Sequence, residues 1–285
     1  MKAKREILNY NNKSGVWAGK YRNSHNLPHW HTECELLYVQ EGTIDIFCGN
    51  QQDTYTAGQA CFVSPETIHY MHAQTPDTVL AVIMFNYGIV ESILGDNTLT
   101  DPKITRDYGI ADVYAEVKRE LTATLPYFEQ KVCDKLRDLF IDIVRAEPVS
   151  PRKKENSTAL QLRRLLDKID NDYALITFDE ACRFMTLEQA YFSRYFRRYV
   201  GMSFSKYLNY VKVDNAVRQL KQGTLSVTDV SVNCGFDSIR TFNRNFKEMT
   251  GYAPTELPAD FVMAEYFVHS AENFNPTSTE TSLIE

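Results

Sequence analysis

Residues 191–204 (YFSRYFRRYVGMSF) return fifty positions later as residues 241–254 (TFNRNFKEMTGYAP), with Phe192/Phe242, Arg194/Arg244, Phe196/Phe246, Arg197/Lys247 and Gly201/Gly251 in register. A chain that carries one device twice must fold into two like units, and the device here is helical. Phe192 and Phe196 stand four apart, as do Phe242 and Phe246, so each pair shares the inward face of a helix. Ser193, Arg194 and Arg197 fall on or beside the opposite flank. Gly201 and Gly251 stand where each helix must stop, the place for a glycine in the left-handed conformation. Two such heads at a fixed separation suit a double-stranded polymer with a helical repeat.

The residues before each echo predict a partner helix. Residues 178–184 form a short helix, a tight turn follows, and residues 188–199 form the second. Residues 227–233, a turn at Gly235 and residues 238–249 repeat the plan. Ser238 is a good N-cap and Thr228-Asp229 load the preceding helix start, whereas Glu188 is a poorer cap. Between the copies, Tyr207, Leu208, Val211, Ala216, Val217 and Leu220 recur at helical spacing, which predicts a long strut.

Charge divides along the same line. The chain of 285 residues has a formal charge of −6, yet residues 151–258 hold 17 Lys and Arg against 12 Asp and Glu. A basic C-terminal part joined to an acidic N-terminal part is the electrostatic footprint of a nucleic-acid binder. With 44% hydrophobic residues the chain can bury a sizeable core, and its length predicts about two domains. No apolar run approaches the roughly 18 residues of a membrane span. The basic start, MKAKREILNYNNKSG, lacks the apolar stretch of a secretory signal, so a cytoplasmic protein is expected. Six cysteines without a CxxC pair fit reduced, structural thiols.

Up to about residue 86, short runs such as ELLYV, TIDIF, ACFVS and TVLAVIMF alternate with turn signals at EGT, CGNQQD, AGQ and SPET. That pattern predicts a small barrel or sandwich. From about 110 to 146 the period becomes helical. Leu136, Leu139, Phe140 and Ile143 form an apolar stripe, and Pro126 is expected in the first turn of its helix. This stripe is a candidate dimer face, with packing on its own barrel as the alternative. EPVSPRKKENST (147–158) reads as a linker, and the polar end SAENFNPTSTETSLIE as disordered.

The residues at 235–257, GFDSIRTFNRNFKEMTGYAPTEL, closely resemble the signature of the AraC family of transcription regulators. The likeness covers about 159–258 and implies two helix-turn-helix motifs bridged by a linker helix. It also implies that the second helix of each motif enters the major groove. The outward positions are then Ala190, Ser193 and Arg194 in copy one and Arg240, Asn243 and Arg244 in copy two. Arginine donates two hydrogen bonds to guanine, asparagine pairs with adenine, and a small alanine meets a thymine methyl. Arg197, Arg198, Lys206, Lys212 and Lys247 suit phosphate contacts or local ion pairs. The alternative for Arg194 and Arg244 is pairing with nearby carboxylates. Copy one departs from the family pattern, with Glu188-Gln189 in place of Ser-Pro and Thr186 in place of a turn glycine.

His29-x-His31-x3-Glu35-x6-Gly42 resembles the first motif of the cupin superfamily, and Gly58 through Pro65 to His69 approximates the second, with Thr67 near its usual glycine. Strand alternation puts His29, His31 and Glu35 on one face, and a later antiparallel strand brings His69 against them. In metal-dependent cupins three matching histidines and a glutamate bind iron, manganese or similar ions, whereas AraC-type sensor domains often keep the motif without a metal. A metal site, a metal-free floor for a small ligand and a structural polar cluster all stay open. Trp30 is expected to pack outside the barrel, and Trp17 and Tyr21 to pack near its mouth or to meet a ligand such as a sugar.

The expected fold is thus α+β in two domains, an N-terminal cupin-like β-barrel with trailing helices and a C-terminal all-α double helix-turn-helix. The expected boundaries are 1–95 for the effector-binding barrel, 96–147 for a helical dimerisation region, 148–158 for the linker, 159–260 for the DNA-binding domain and 261–285 for the tail. The expected function is a non-enzymatic transcription regulator that senses a small molecule, with no obligatory cofactor. Its expected partners are promoter DNA, the effector, a second copy and RNA polymerase. The competing function is a metal-dependent, dioxygenase-like cupin enzyme with an accessory helical domain.

Overall fold

A computed structural model of the chain describes residues 14–26, 28–152, 157–258, 261 and 282–285. It divides into two compact units, one of residues 5–154 with 279–285, the other centred on 155–278.

The N-terminal unit is built on antiparallel strands: β1 (Val16–Arg22), β2 (Cys34–Glu41), β3 (Thr43–Cys48), β4 (Gln51–Thr56), β5 (Ala60–Val63), β6 (His69–Ala73) and β7 (Val79–Phe85). A short helix α1 (Glu91–Leu94), strands β8 (Asn97–Leu99) and β9 (Lys103–Ile104), and helices α2 (Ile110–Ala123) and α3 (Phe128–Ala146) follow. Strand β10 (Val149–Pro151) ends this run, and β11 (Ser282–Leu283) returns from the far end of the chain. The larger sheet has the order β11-β1-β7-β2-β5-β9, the smaller is β4-β3-β6, and β10 pairs with β8. Among the described residues the strands form facing sheets with a shared core between them, in keeping with the expected small barrel or sandwich.

Period-two alternation explains how the sheets are filled. On one face of the larger sheet, Val16, Ala18, Cys34, Leu36, Phe62, Ile83 and Phe85 pack against Tyr114, Val117, Val132, Leu136, Phe140 and Ile143 of the helices. On the other, Leu37, Val39, Cys61, Val63, Leu80, Val82 and Met84 meet Ile44, Ile46, Tyr55 and Met71 of the smaller sheet. β7 is buried along its whole length because it serves both cores, which is why it reads as a continuous apolar run. Trp17 and Tyr21 pack against the inner core, and Trp30 is buried.

Several expectations are corrected here. The Leu136/Leu139/Phe140/Ile143 face packs on the chain's own sheet, the alternative stated for it, and the helices belong to the same compact unit as the strands. Pro126 stands outside its helix, since Tyr127 is the N-cap of α3 with φ 67°. CGNQQD contains the start of β4, leaving only Gly49 and Asn50 between paired strands. In the expected linker, 149–151 form β10, residues 153–156 lie outside the described residues, and α4 (Ser157–Asp172) already begins at 157. Most of the expected disordered tail also lies outside them, but its end is ordered. Ser282 and Leu283 pair with Arg22 and Tyr21 on β1. A two-residue addition to an open edge needs only backbone groups, so polar composition does not forbid it.

The second unit is helical: α4, α5 (Phe178–Met185), α6 (Gln189–Val200), α7 (Phe204–Gln222), α8 (Val227–Asn233) and α9 (Ile239–Thr250). α7 is the expected strut. It buries Phe204, Tyr207, Leu208, Tyr210, Val211, Val213, Ala216 and Val217 around much of its circumference, because helices pack on more than one side of it.

Candidate functional site

In each motif the phenylalanines are scaffold. Phe192, Phe196, Phe242 and Phe246 are fully buried, with Phe192 and Phe196 packed edge-on against Phe204 of the strut. Their burial turns the other face of α6 and α9 outward. Ala190, Ser193, Arg194 and Arg197 on α6 are exposed, as are Arg240, Asn243, Arg244 and Lys247 on α9. Among the described residues no ion pair engages Arg194, Arg197, Arg240, Arg244 or Lys247. The guanidiniums of α6 and α9 therefore face solvent with their donors available for phosphate or guanine. Lys212 is different. Its Nζ donates to the Gly235 carbonyl and lies 5.5 Å from the Phe236 ring centre, and burial pushes its pKa down. It braces the second turn and does not offer a phosphate contact.

The two turns are not copies of each other. Thr186 N–H and Gly235 N–H each close a turn onto the preceding helix, and so do Leu187 and Phe236. Copy two then inserts Asp237 before its N-cap Ser238, whereas in copy one Leu187 is followed directly by the N-cap Glu188. Ser238 accepts from Thr241 N–H, and Glu188 makes no side-chain cap. Thr186 takes the left-handed conformation at φ 54°, as Gly235 does at 70°. A Cβ on Gly235 would lie 2.1 Å from the Ala174 carbonyl oxygen, so glycine is required there by space as well as by φ. The one-residue difference was hidden in sequence because the echo was aligned on the second helices, downstream of the turn.

The second site lies inside the N-terminal unit. Glu35 alternates with Cys34 and Leu36, which face the helices, so its carboxylate enters the space between the sheets beside Leu37 and Val39. His69 enters the same space from β6, two residues before the inward Met71, and His29 pairs with it through reciprocal backbone hydrogen bonds of 3.0 Å. His29, His31, Glu35 and His69 are all buried, and one donor atom from each lies within 4.8 Å of the others. The four residues that the cupin-like motif implies are thus brought together by the fold.

Their hydrogen bonds choose which ring nitrogens face inward. His69 Nδ1 lies 2.8 Å from the Thr67 carbonyl and His31 Nδ1 3.1 Å from the Glu33 carbonyl. A carbonyl only accepts, so each Nδ1 carries a hydrogen and Nε2 faces inward, a lone pair in the neutral ring and a second N–H donor in the charged one. His69 Nε2 lies 2.9 Å and His31 Nε2 3.7 Å from Glu35 Oε2. Two acceptors at 2.9 Å repel unless a cation, a proton or a metal ion, lies between them. Burial alone would raise the Glu35 pKa, but His69 and His31 hold the carboxyl well below the usual carboxylate range. Three imidazoles, two of them oriented by carbonyls behind them, and one carboxylate fit a divalent transition metal.

Sequence reading missed a second histidine pair. His25 bridges to β6 at His72, and their Nδ1 atoms approach to 2.5 Å. Burial, with His72 beside it, lowers the His25 pKa to about 3, so the ring stays neutral. The clue was available, since five of the six histidines in the chain stand at 25–31 and 69–72.

Comparisons with known proteins agree with this division. Residues 17–162 match the model of the AraC-like ligand binding domain, and residues 181–259 match a helix-turn-helix domain. The HTH-type transcriptional activator RhaR of Escherichia coli strain K12 is 23% identical over 256 residues, covering 84% of this chain and 89% of that one. RhaR of Shigella flexneri is 22% identical over the same shares. Among solved structures, the unsaturated fatty acid bound wild-type ToxT of Vibrio cholerae strain SCE256 is 11% identical, with a TM-score of 0.43, covering 87% of this chain and 95% of that one.

Proposed function

The chain belongs to the AraC family of transcription regulators, and from that premise we propose that a small molecule held between its N-terminal sheets controls sequence-specific DNA binding by α6 and α9. The observation that carries the DNA half is the outward array of Ala190, Ser193, Arg194, Arg197, Arg240, Asn243, Arg244 and Lys247 over a fully buried aromatic scaffold. α7 holds α9 through Asn209, whose amide donates to Asn245, and this strut supports the reading that the two heads enter successive major grooves.

Support for the effector half is the polar cluster of His29, His31, Glu35 and His69, together with the aromatic pair Trp17 and Tyr21, whose ring centres are 6.1 Å apart and which pack against the core between the sheets. Aromatic faces beside charged acceptors suit a sugar or a related polyhydroxy metabolite. A metal held by these four residues would supply a Lewis-acidic centre for the effector's oxygens. The regulator acts in the cytoplasm as a homodimer that engages RNA polymerase on promoter DNA. No helix among the described residues is long and apolar enough to cross a membrane.

The test is titration of promoter fragments with the full chain in the presence of a metabolite panel, with Trp17 fluorescence followed in parallel. An effector that shifts both DNA affinity and fluorescence supports the reading, and sequence-independent binding unaffected by any metabolite sinks it. The buried cluster is the one observation that favours a metal-dependent enzyme instead. Turnover of a substrate by the metal-loaded chain, lost in Glu35→Gln, would establish that alternative.

A further inference from the structure

One edge of the larger sheet, the side of β1 away from β7, is closed by side chains along one half and by a sequence-distant segment along the other. Lys20 N–H donates to the Glu285 carbonyl at 3.2 Å, and the Lys20 carbonyl accepts from Ile284 N–H at 2.8 Å. Alternate residues of a strand turn their backbone groups to the same side, so Val16, Ala18 and Arg22 face this edge with Lys20. Val16 N–H donates to Ser14 Oγ at 3.2 Å, and the Ala18 carbonyl accepts from Lys118 Nζ of α2 at 3.1 Å. These two contacts leave Lys20 to Arg22 as the stretch open to an incoming strand. The segment 282–285 fills it, with Leu283 opposite Tyr21 and Ser282 opposite Arg22.

The open stretch selects by charge. Lys20 Nζ lies 5.0 Å from the centre of the Tyr114 ring on α2 and 2.6 Å from the Glu285 carboxylate. The ammonium is thus held over an aromatic face and presented to an acidic side chain. Antiparallel addition of a second β1 would instead set Lys20 and Arg22 against like cations, which is unfavourable across a strand pair. Close approach matters as well. A Cβ on Gly19 would lie 3.2 Å from the Glu285 carbonyl oxygen and 2.4 Å from the Trp17 ring, so glycine leaves room for both.

We propose that two copies of this chain exchange the segment 282–285, the β1 edge of each taking the segment of the other. Exchange repeats every contact above between copies and requires no new fit, which makes it a low-cost route to a dimer. A two-residue ladder and one partly exposed ion pair open locally, so the segment leaves and rebinds. Its own segment fills the edge when the chain is dilute, and a second copy's segment does so as concentration rises. The proposal rests on the homodimer reading, for which it names a contact, and is independent of DNA binding.

The test uses two full-length variants with different affinity tags, both carrying Cys133→Ser because that thiol is half-buried while the other cysteines are buried. One adds Arg22→Cys and the other Ser282→Cys, since register partners of an antiparallel pair lie within the Cα separation that a disulfide accepts. They are mixed under reducing conditions at micromolar concentration, then oxidised with diamide. A covalent heterodimer joined at 22–282 is expected on peptide mass mapping, rising with concentration and competed by excess unaltered chain. Adding Lys20→Glu to the first variant should lower its yield about fivefold, the upper end for an exposed ion pair, and adding Glu285→Lys to the second should restore it. No heterodimer, one joined at other positions, or a yield indifferent to charge reversal overturns the proposal. So does a chain carrying both cysteines that closes an internal 22–282 disulfide while the mixture forms no heterodimer, because the segment then stays on its own β1. Sedimentation of the unaltered chain separates this failure from failure of the homodimer reading, since a dimer without the 22–282 link keeps that reading and removes the exchange.

Discussion

The two helix-turn-helix motifs share their aromatic scaffold and differ in their turns. Copy two spends Gly235, Asp237 and a capping Ser238 on the corner, whereas copy one makes it one residue shorter with a left-handed Thr186 and an uncapped Glu188. Gln189 compensates in part, its amide donating to Asp179 at 2.9 Å across the corner. The lesson is that a duplicated fold needs the core to be copied but not the corner. Burial of two phenylalanines sets the helix face, and several corners can deliver it.

On the proposed function both motifs read DNA, and the capped corner of copy two makes it the better organised reader. The largest effect should come from removing both reading arginines. Arg194→Ala with Arg244→Ala should weaken promoter binding by roughly 2–6 kcal/mol, at about 1–3 kcal/mol for each bidentate contact. Fluorescence anisotropy of labelled promoter measures it, and the Arg244 single change should cost more than Arg194. Equal single losses would break the ranking, and no loss in the double variant would remove the assignment of reading helices.

Next comes Gly235→Ala, which places a methyl 2.1 Å from the Ala174 carbonyl oxygen and leaves alanine in the left-handed region. It should destabilise the helical unit by about 3 kcal/mol in urea denaturation. Thr186→Gly, at the matching corner of copy one, should stabilise by about 1 kcal/mol, because it removes left-handed strain. Loss of stability there would mean that Thr186 has a role its backbone does not show.

Caps come third. Ser238→Ala should cost about 1 kcal/mol, and Glu188→Ser should restore a similar amount while removing a negative charge beside the groove-facing helix. A tighter complex for Glu188→Ser sharpens the view that this corner limits copy one. The smallest change should be Lys247→Ala, which should weaken binding evenly across sequences and reduce the dependence of log affinity on log salt by about one.

Much of the helical unit was legible because its signals are local. Phenylalanines four apart, a serine before a helix and a glycine after one act within a turn or two of the chain. The strand ELLYV likewise shows as a short apolar run between turn signals, and the four inward residues were named through the resemblance to the cupin motif. The shortened corner escaped because a gap of one residue leaves helix periodicity untouched. The dimer stripe was ambiguous for a related reason. Leu136, Leu139, Phe140 and Ile143 need an apolar surface, and sequence cannot say whether that surface is their own sheet or a second copy.

By itself, then, the sequence determined the duplicated motif, the exposed cationic face and the set of side chains capable of holding a cation. Tertiary structure decided the rest, because it depends on pairing across long stretches of chain. His29 meets His69 only through strand pairing across forty residues, and Ser64, just after β5, reaches Thr98 of β8 only through the tertiary packing. β1 gains Ser282 and Leu283 from the opposite end of the chain. Backbone hydrogen bonds between strands carry no mark of their partner in local sequence, so which groups face which acceptors became visible only once the sheets were in place.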